Sequence, residues 1–421
     1  MYRFLYSIFL FFFKLGIRLA ALRNEKAKRW IRGRKDLFSD LEKTMQGTDK
    51  TIWFHCASLG EFEQGRPVME KIKKVFPDYK ILLTFFSPSG YEVRKNYEGA
   101  DYTFYLPMDS RPHAERFLTL TKPSLVLFVK YEFWYFYFKA IREKNIPFLL
   151  ISAVFRPGQP FFKWYGPLYR EMLACISHIF VQDEPSARLL QTICLPGQVS
   201  IAGDSRFDRV VEIASQFEPI AVIAGFCASA KTIVAGSTWP EDEKMLQSLF
   251  ENAADPALKL VIAPHETDPA HIAGIQKLFP AAILYSSLLS TGIHPAPEAR
   301  VLLIDRVGIL SRIYKYGYIA YIGGGFTRDG IHNILEAAVY GKPVLFGPVY
   351  SKYREATELI EKGGAKSFSS AGELASLTEN ILRGEEEHSK MAAAASEYVH
   401  SNAGATRKIV DYIQENRLLT S

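Results

Sequence analysis

The sequence predicts an α/β protein built as two doubly wound domains, and three observations carry that prediction. Its 421 residues exceed what one hydrophobic core usually supports. From Thr51 onward, short apolar β-prone runs alternate with amphipathic stretches, the pattern of a parallel sheet covered by helices on both faces. The runs fall into two series, separated between about Asp208 and Ala230 by a stretch with no strong strand signal.

The chain opens on a segment unlike the rest. Residues 2–22 (YRFLYSIFLFFFKLGIRLAAL) approach the length of a bilayer span, but Lys14 and Arg18 interrupt them, and charge is costly at the bilayer centre. A helix lying in the interface, with Phe, Leu and Ile toward acyl chains and cations toward anionic headgroups, is the alternative to a span. A buried core helix and a cleaved signal peptide compete with both, although no small-residue cleavage site follows the apolar run. Arg3, Lys14, Arg18, Arg23, Lys26, Lys28, Arg29, Arg32, Arg34 and Lys35 face one acid, Glu25, and this excess of cations would hold the two domains on the cytoplasmic side. Residues 1–45 are therefore expected to form a membrane-anchor helix and basic arm that meets an anionic membrane surface.

The first series, TIWFHCA, KILLTFF, YTFYLP, SLVLFV and PFLLISA, with helical stretches over 61–76 and 132–144, predicts a first domain over 46–210. Residues 211–230 are expected as a linker. The second series, TIVAGS, LKLVIAP, VLLID, YIAYIGG and PVLFG, predicts a second domain over 231–400. The end of the chain, from roughly 371 to 416, reads as helical, and its last part, residues 401–421, is expected to pack across the two domains.

Composition narrows the function classes. With 48% hydrophobic and 23% charged residues the chain is globular. Cys56, Cys175, Cys194 and Cys227 show no Cys-x-x-Cys spacing, so neither a disulfide framework nor a zinc site is indicated and a reducing cytoplasm fits. The net charge of +6 is gathered in the N-terminal arm, and no nucleic-acid partner is expected.

Ligands of such sheets gather at the carboxyl ends of the strands. In His55-Cys56-Ala57-Ser58-Leu59-Gly60-Glu61, a strand ends in a small-residue turn and Glu61 opens a helix. Its carboxylate suits a general base for a sugar hydroxyl, or simply the positive end of the helix dipole; both readings stand. Glu132, after the run SLVLFV, is placed toward the same region or is a solvated helix-start carboxylate. Arg206, within Gly203 to Asp208, is placed to neutralise a leaving phosphate, and His265, after the run ending at Pro264, to contact a nucleotide. Gly323-Gly324-Gly325-Phe326, followed by Gly330 to Glu336, runs from a strand through a glycine loop into a helix. Its amides suit a phosphate and Glu336 a ribose, unless the glycines serve only a tight turn. The spacing is neither Gly-x-Gly-x-x-Gly nor a Walker loop, which turns the reading from hydride transfer and ATP hydrolysis toward a nucleotide-sugar donor. His265 and Glu266 lack a further ligand at helical spacing, so no metal is expected.

Together these stretches resemble the Kdo transferases, which attach 3-deoxy-D-manno-octulosonic acid (Kdo) to the lipid A precursor of lipopolysaccharide. The resemblance spans nearly the whole chain and rests on Ala57 to Phe62, Tyr105-Leu106-Pro107-Met108-Asp109, Glu132-Phe133-Trp134, Gly203 to Asp208, Ala235-Gly236-Ser237-Thr238 and His332 to Glu336. It implies a GT-B fold, two Rossmann-like domains facing across a cleft with an N-terminal membrane-associated helix. It also implies an inverting, metal-independent transfer from CMP-Kdo to lipid IVA at the cytoplasmic face of the inner membrane, with no cofactor besides that donor. By the same resemblance Glu61 is the catalytic base, and Glu132 and Arg206 stabilise the transition state. Nucleotide contacts fall on Pro264, His265, Val307, Gly308, Ile309, Asn333, Ile334, Leu335 and Glu336. The chain departs from the family in Arg206, where Lys is usual, in Tyr135 after Trp134, where Pro is usual, in Ile309, where Glu is common, and in lacking Pro-Arg-His near Pro264. The rival readings are a GT-B transferase using a UDP-sugar and another lipid acceptor, and a noncatalytic nucleotide-sugar-binding membrane scaffold.

Overall fold

The computed structural model of the chain describes residues 2–419 apart from 49, 229, 254, 292–295 and 297. Each of the two series builds its own seven-stranded parallel sheet. The first unit takes the chain up to Asp208 and, from Gly404, its end; the second spans Arg209–Ala403.

In the first unit the strands are β1 (Thr51–Cys56), β2 (Lys80–Phe85), β3 (Tyr102–Tyr105), β4 (Pro123–Val129), β5 (Phe148–Ala153), β6 (His178–Val181) and β7 (Val199–Ile201), in the order β3-β2-β1-β4-β5-β6-β7. All six residues of β1 are buried, as a central strand with both faces covered requires. Ile52, Phe54 and Cys56 share one core with Phe62, Val68, Met69 and Ile72 of the helix Leu59–Val75. Trp53 belongs to the core on the other face, with Phe117 and Leu118 of the helix Arg111–Thr121 and Phe138 and Ile141 of the helix Tyr135–Glu143. Gly65 lets the first of these helices lie close to the sheet, since a Cβ there would come within 2.9 Å of Val129 Cγ2.

The second unit orders β8 (Thr232–Thr238), β9 (Lys259–Pro264), β10 (Ile283–Leu284), β11 (Val301–Leu303), β12 (Ile319–Ile322), β13 (Val344–Phe346) and β14 (Ala365–Ser367) as β10-β11-β9-β8-β12-β13-β14. Residues 211–230, expected as a linker, are largely helical: the helix Ser205–Ser215 runs into them and Ala221–Cys227 forms another. Ile223 and Phe226 of the latter are fully buried, which an open linker would not permit.

The end of the chain belongs to the first unit. Ala405, Ile409, Val410 and Ile413 of the helix Ala405–Glu415 join the core beneath the helix Leu59–Val75, and Asp208 accepts hydrogen bonds from the amides of Gly404 and Thr406 at its start. The N-terminal helix, Tyr2–Ala20, is not a core helix, because Leu10 is its one buried residue. Tyr6 donates to Asp109 at 2.7 Å and Arg3 to Glu171 at 2.9 Å, which moors one face. Phe4, Leu5, Phe9, Phe11, Phe12, Leu15 and Leu19 stay exposed. No helix among the described residues is long and apolar enough to cross a membrane.

Candidate active site

In the first unit, the predicted carboxylates stand at the carboxyl edge of the sheet. Ser58 precedes the helix after β1, but its hydroxyl caps no amide; it donates to the Glu61 carboxylate instead. Gly60 beside it is exposed, and a Cβ there would meet nothing nearer than the Ser58 hydroxyl at 3.8 Å. The fold itself therefore does not require glycine at this position in the first turn of the helix.

Glu132 is not at a helix start. The helix expected over 132–144 begins at Tyr135, because Lys130 takes a left-handed conformation (φ 63°) that re-aims the chain after β4. The helix's first amides go elsewhere: Asp109 accepts from Phe136 and Tyr137, each at 3.1 Å, and Tyr6 accepts from Tyr135 at 3.3 Å. Burial pushes the Asp109 carboxyl up to about 6 in spite of these bonds. Released from capping, Glu132 turns Oε2 inward to a point 3.6 Å from Nε2 of His55, close enough for an ion pair and too far for a hydrogen bond.

Arg206, at the start of the helix after β7, donates from Nε to Asp204 Oδ2 at 2.9 Å, with Nη2 2.7 Å from the same oxygen, while its backbone amide meets Oδ1 at 2.9 Å. The guanidinium is thus half of an ion pair with no net charge. Tyr131 lies within electrostatic reach of the group. Its phenol is pushed up by burial, against the pull of Arg156, with the carboxylates of Asp183, Glu61 and Asp204 adding to the rise. These four charged residues follow β5, β6, β1 and β7, so they mark one edge of one sheet.

In the second unit, the predicted nucleotide contacts follow β9, β11 and β12, which with β8 are adjacent in the sheet. Pro264 ends β9, and His265 stacks between Trp239 (centroids 4.8 Å) and His332 (4.4 Å). Trp239 Nε1 donates to His332 Nε2 at 3.2 Å, and burial with the neighbouring His265 pushes the His332 imidazole down to about 4. A neutral ring accepting at Nε2 carries its proton on Nδ1. Val307 is 79% exposed, and Gly308 adopts φ 94°, a left-handed turn suited to glycine. Ile309 precedes the short helix Leu310–Ile313. Asn333 donates to Glu336 Oε1 at 3.1 Å and accepts from the amide of Leu335 at 3.2 Å. Ile334 and Leu335 are fully buried, so only their backbone can meet a ligand.

The glycine run answers its open question. A Cβ on Gly323 would lie 2.1 Å from Ser237 O, and one on Gly325 2.5 Å from Gly347 Cα. The amide of Gly324 donates to Asp242 at 2.8 Å, and that buried carboxylate also accepts from Trp239 N and Tyr321 Oη. These glycines pack backbone on backbone and hold the loop that carries His332, which accounts for glycine there without a phosphate. Glu266, Asp268 and His271 bring ligand-type atoms within 4.8 Å of one another. His271 already spends one ring nitrogen on Glu243 and the other on the Glu266 carbonyl, while Asp268 accepts from two amides at the start of the helix Pro269–Leu278.

Sequence reasoning missed Trp239 and Asp242, which share one helix start, and His332 as a ring, which sheet order alone brings to Trp239. The signal available was position: Trp239 directly follows β8, Asp242 lies in the first turn of the helix beyond it, and His332 lies in the loop between β12 and the next helix. His55 lies in β1, within the run TIWFHCA that predicts that strand, and local sequence signals no role for it.

Residues 27–209 match the family model described as 3-deoxy-D-manno-octulosonic-acid transferase (kdotransferase). The chain is similar to the 3-deoxy-D-manno-octulosonic acid transferase of Aquifex aeolicus, 28% identical over 77% of this chain and 83% of that protein. It is also similar to that of Haemophilus influenzae, 25% identical over 86% of each. Among solved structures it resembles the UDP-GlcNAc 2-epimerase of Neisseria meningitidis (TM-score 0.60, 19% identity, 87% of this chain and 100% of that one) and Acinetobacter baumannii MurG (TM-score 0.54, 14% identity, 87% and 99%). These likenesses show the fold, two doubly wound units of the GT-B type.

Proposed function

From the match of residues 27–209 to the 3-deoxy-D-manno-octulosonic-acid transferase model and the similar transferases, we propose that the chain is a glycosyltransferase of that family that transfers Kdo from CMP-Kdo to the lipid A precursor lipid IVA. The observation that carries this reading is the first-unit edge, where Glu61, hydrogen-bonded by Ser58, stands beside an exposed glycine at the end of β1. Glu61 takes the proton of the acceptor hydroxyl. The freed oxygen attacks the anomeric carbon of Kdo, and the bond from that carbon to the CMP phosphate oxygen breaks with its electron pair on phosphate. One base and one activated leaving group complete an inverting displacement, with Glu132 facing positive charge that develops on the sugar ring. No metal has a role in this scheme, and with preformed CMP-Kdo EDTA should leave the rate of transfer unchanged.

The second unit supports the donor half of the reading. Its aromatic stack presents flat faces to a base, and the Asn333–Glu336 pair presents polar atoms to a ribose. The N-terminal helix supports the acceptor half. Its exposed phenylalanines and leucines suit the acyl boundary, with Lys14 and Arg18 among them for phosphate headgroups. On this reading the enzyme works at the cytoplasmic face of the inner membrane. Lys14, Arg18, Arg34 and Lys35 line a cavity of about 420 Å³ with Trp30 and Phe38, of a chemistry that suits an anionic amphiphile.

The test is mass spectrometry of lipid IVA incubated with the full chain and a CMP-Kdo generating system. A gain of Kdo, absent with Glu61→Gln, is expected. No gain with folded enzyme and intact donor would overturn the reading and direct a UDP-sugar panel instead.

A further inference from the structure

Glu132 faces a histidine to which the sugar displacement assigns no role. His55, the penultimate residue of β1, is fully buried, paired in register with Thr84 of β2 and Phe128 of β4. Its ring packs on Phe128 at 4.6 Å between centroids. Nδ1 lies 2.8 Å from the Thr84 hydroxyl oxygen, to which Trp53 Nε1 donates at 2.7 Å, and the Phe54 carbonyl stands 3.3 Å from that same oxygen. On the far side of the ring, Nε2 and Glu132 Oε2 are both buried, and neither has a hydrogen-bond partner among the described residues.

Counting protons fixes what lies between them. The indole can only donate, and the threonine hydroxyl has one proton to give. If that proton goes to Nδ1, the imidazole carries its own on Nε2, pointing at Glu132. If it goes to the Phe54 carbonyl, Nδ1 must donate to the hydroxyl. A neutral ring would then set a lone pair against a carboxylate across 3.6 Å, a gap too short to hold a water, an arrangement that a proton shared between the two atoms relieves. Both arrangements put one proton on the line from Nε2 to Oε2.

We propose that His55 is a positioning residue for sugar transfer: its Nε2 closes on Glu132 Oε2 when substrate binds, pinning the carboxylate so that Oε1 alone meets the reacting sugar. This rests on the Kdo-transferase reading and on Glu132 standing at the reacting centre. The present 3.6 Å must shorten by roughly 0.6 Å to reach hydrogen-bond length, and catalytic hydrogen bonds often tighten in this way only in the complex. The burial of Oε2 already confines the exposed part of the Glu132 side chain to the remaining atoms.

The test uses the full chain with CMP-Kdo and lipid IVA. His55→Phe keeps a ring and removes both nitrogens; kcat should fall about 100-fold, the usual effect of a catalytic group misplaced by about 1 Å, with KM for both substrates changed less than about threefold. His55→Gln, which restores an N–H on a side chain of similar reach, should recover about tenfold of that loss, and His55→Phe combined with Glu132→Gln should be no slower than Glu132→Gln alone. Thr84→Val leaves the ring in place while removing its anchor and should cost about tenfold in kcat. Should His55→Phe fail to fold, Thr84→Val decides. Unchanged kcat in the folded variants, or losses that multiply in the double variant, would overturn the role of His55. A wild-type enzyme that transfers no Kdo would instead overturn the reading on which it rests.

Discussion

The carboxyl edges of the two sheets are built from different chemistry. In the first unit the edge is ionic, and each reactive side chain has a partner: Ser58 on Glu61, His55 opposite Glu132, Asp204 on Arg206. In the second unit the edge is aromatic and main-chain, with the Trp239–His265–His332 stack, the turn at Gly308 and the amides around Asn333. On the reading proposed above, the duplicated architecture carries divided labour: one edge moves a proton, and the other grips a flat, polar ligand without moving one.

The largest expected effect falls on the ionic edge. Glu61→Gln should lower kcat by about 10²- to 10⁴-fold, the contribution of a positioned general base, while the affinity for CMP measured by calorimetry stays as in wild type. Joint loss of turnover and CMP binding would break the division of labour. On the aromatic edge the signature is reversed. Trp239→Ala removes the outer ring of the stack and the donor to His332, and should raise KM for CMP-Kdo about tenfold, roughly the 1.4 kcal/mol of one aromatic contact, with kcat nearly unchanged. A fall in kcat at constant KM would place Trp239 with the chemistry instead.

The difference also explains what the sequence disclosed. The long apolar strands β1, β2, β4, β5, β8 and β9 are legible because both faces are buried. β6, β7, β10 and β14 have two to four residues each, too few for any periodicity, and β7, β10 and β14 lie toward the sheet margins. Glu61 and Arg206 are legible because the residues that position them are neighbours in sequence. Glu132's true setting was not, since the residue that relieves it of capping, Asp109, is a strand and a helix away. The aromatic stack joins residues 239, 265 and 332, which only strand order brings together.

A smaller effect should come from the ion pair at β7. Arg206→Lys keeps the charge and loses the fork that holds Asp204, so stability should fall by about 1 kcal/mol, read from denaturant midpoints, and kcat by no more than about threefold. A drop in kcat as large as that of Glu61→Gln would move Arg206 from an internally neutralised pair to a direct partner of the leaving phosphate.

The smallest effect compares the two units through acid, and their signs are opposite. His332 in the second unit is held down to about 4 against an ordinary 6.5, so as pH falls below about 6.5 the unfolded chain takes this proton first. Its contribution to stability is complete above that pH and is lost progressively toward about 4. Asp109 in the first unit is pushed up to about 6 from 3.8, so there the folded chain takes the proton first, and its contribution grows as pH falls through the same window. Thermal unfolding followed from about pH 7 to 4 should therefore flatten with acid in His332→Gln, which removes the loss, and steepen in Asp109→Asn, which removes the gain. If both substitutions steepened it, the folded chain would be taking up the His332 proton first, and burial would not be setting the charge state of that ring. The aromatic edge would then have to hold a charged imidazolium, a different ligand-binding surface from a neutral stack.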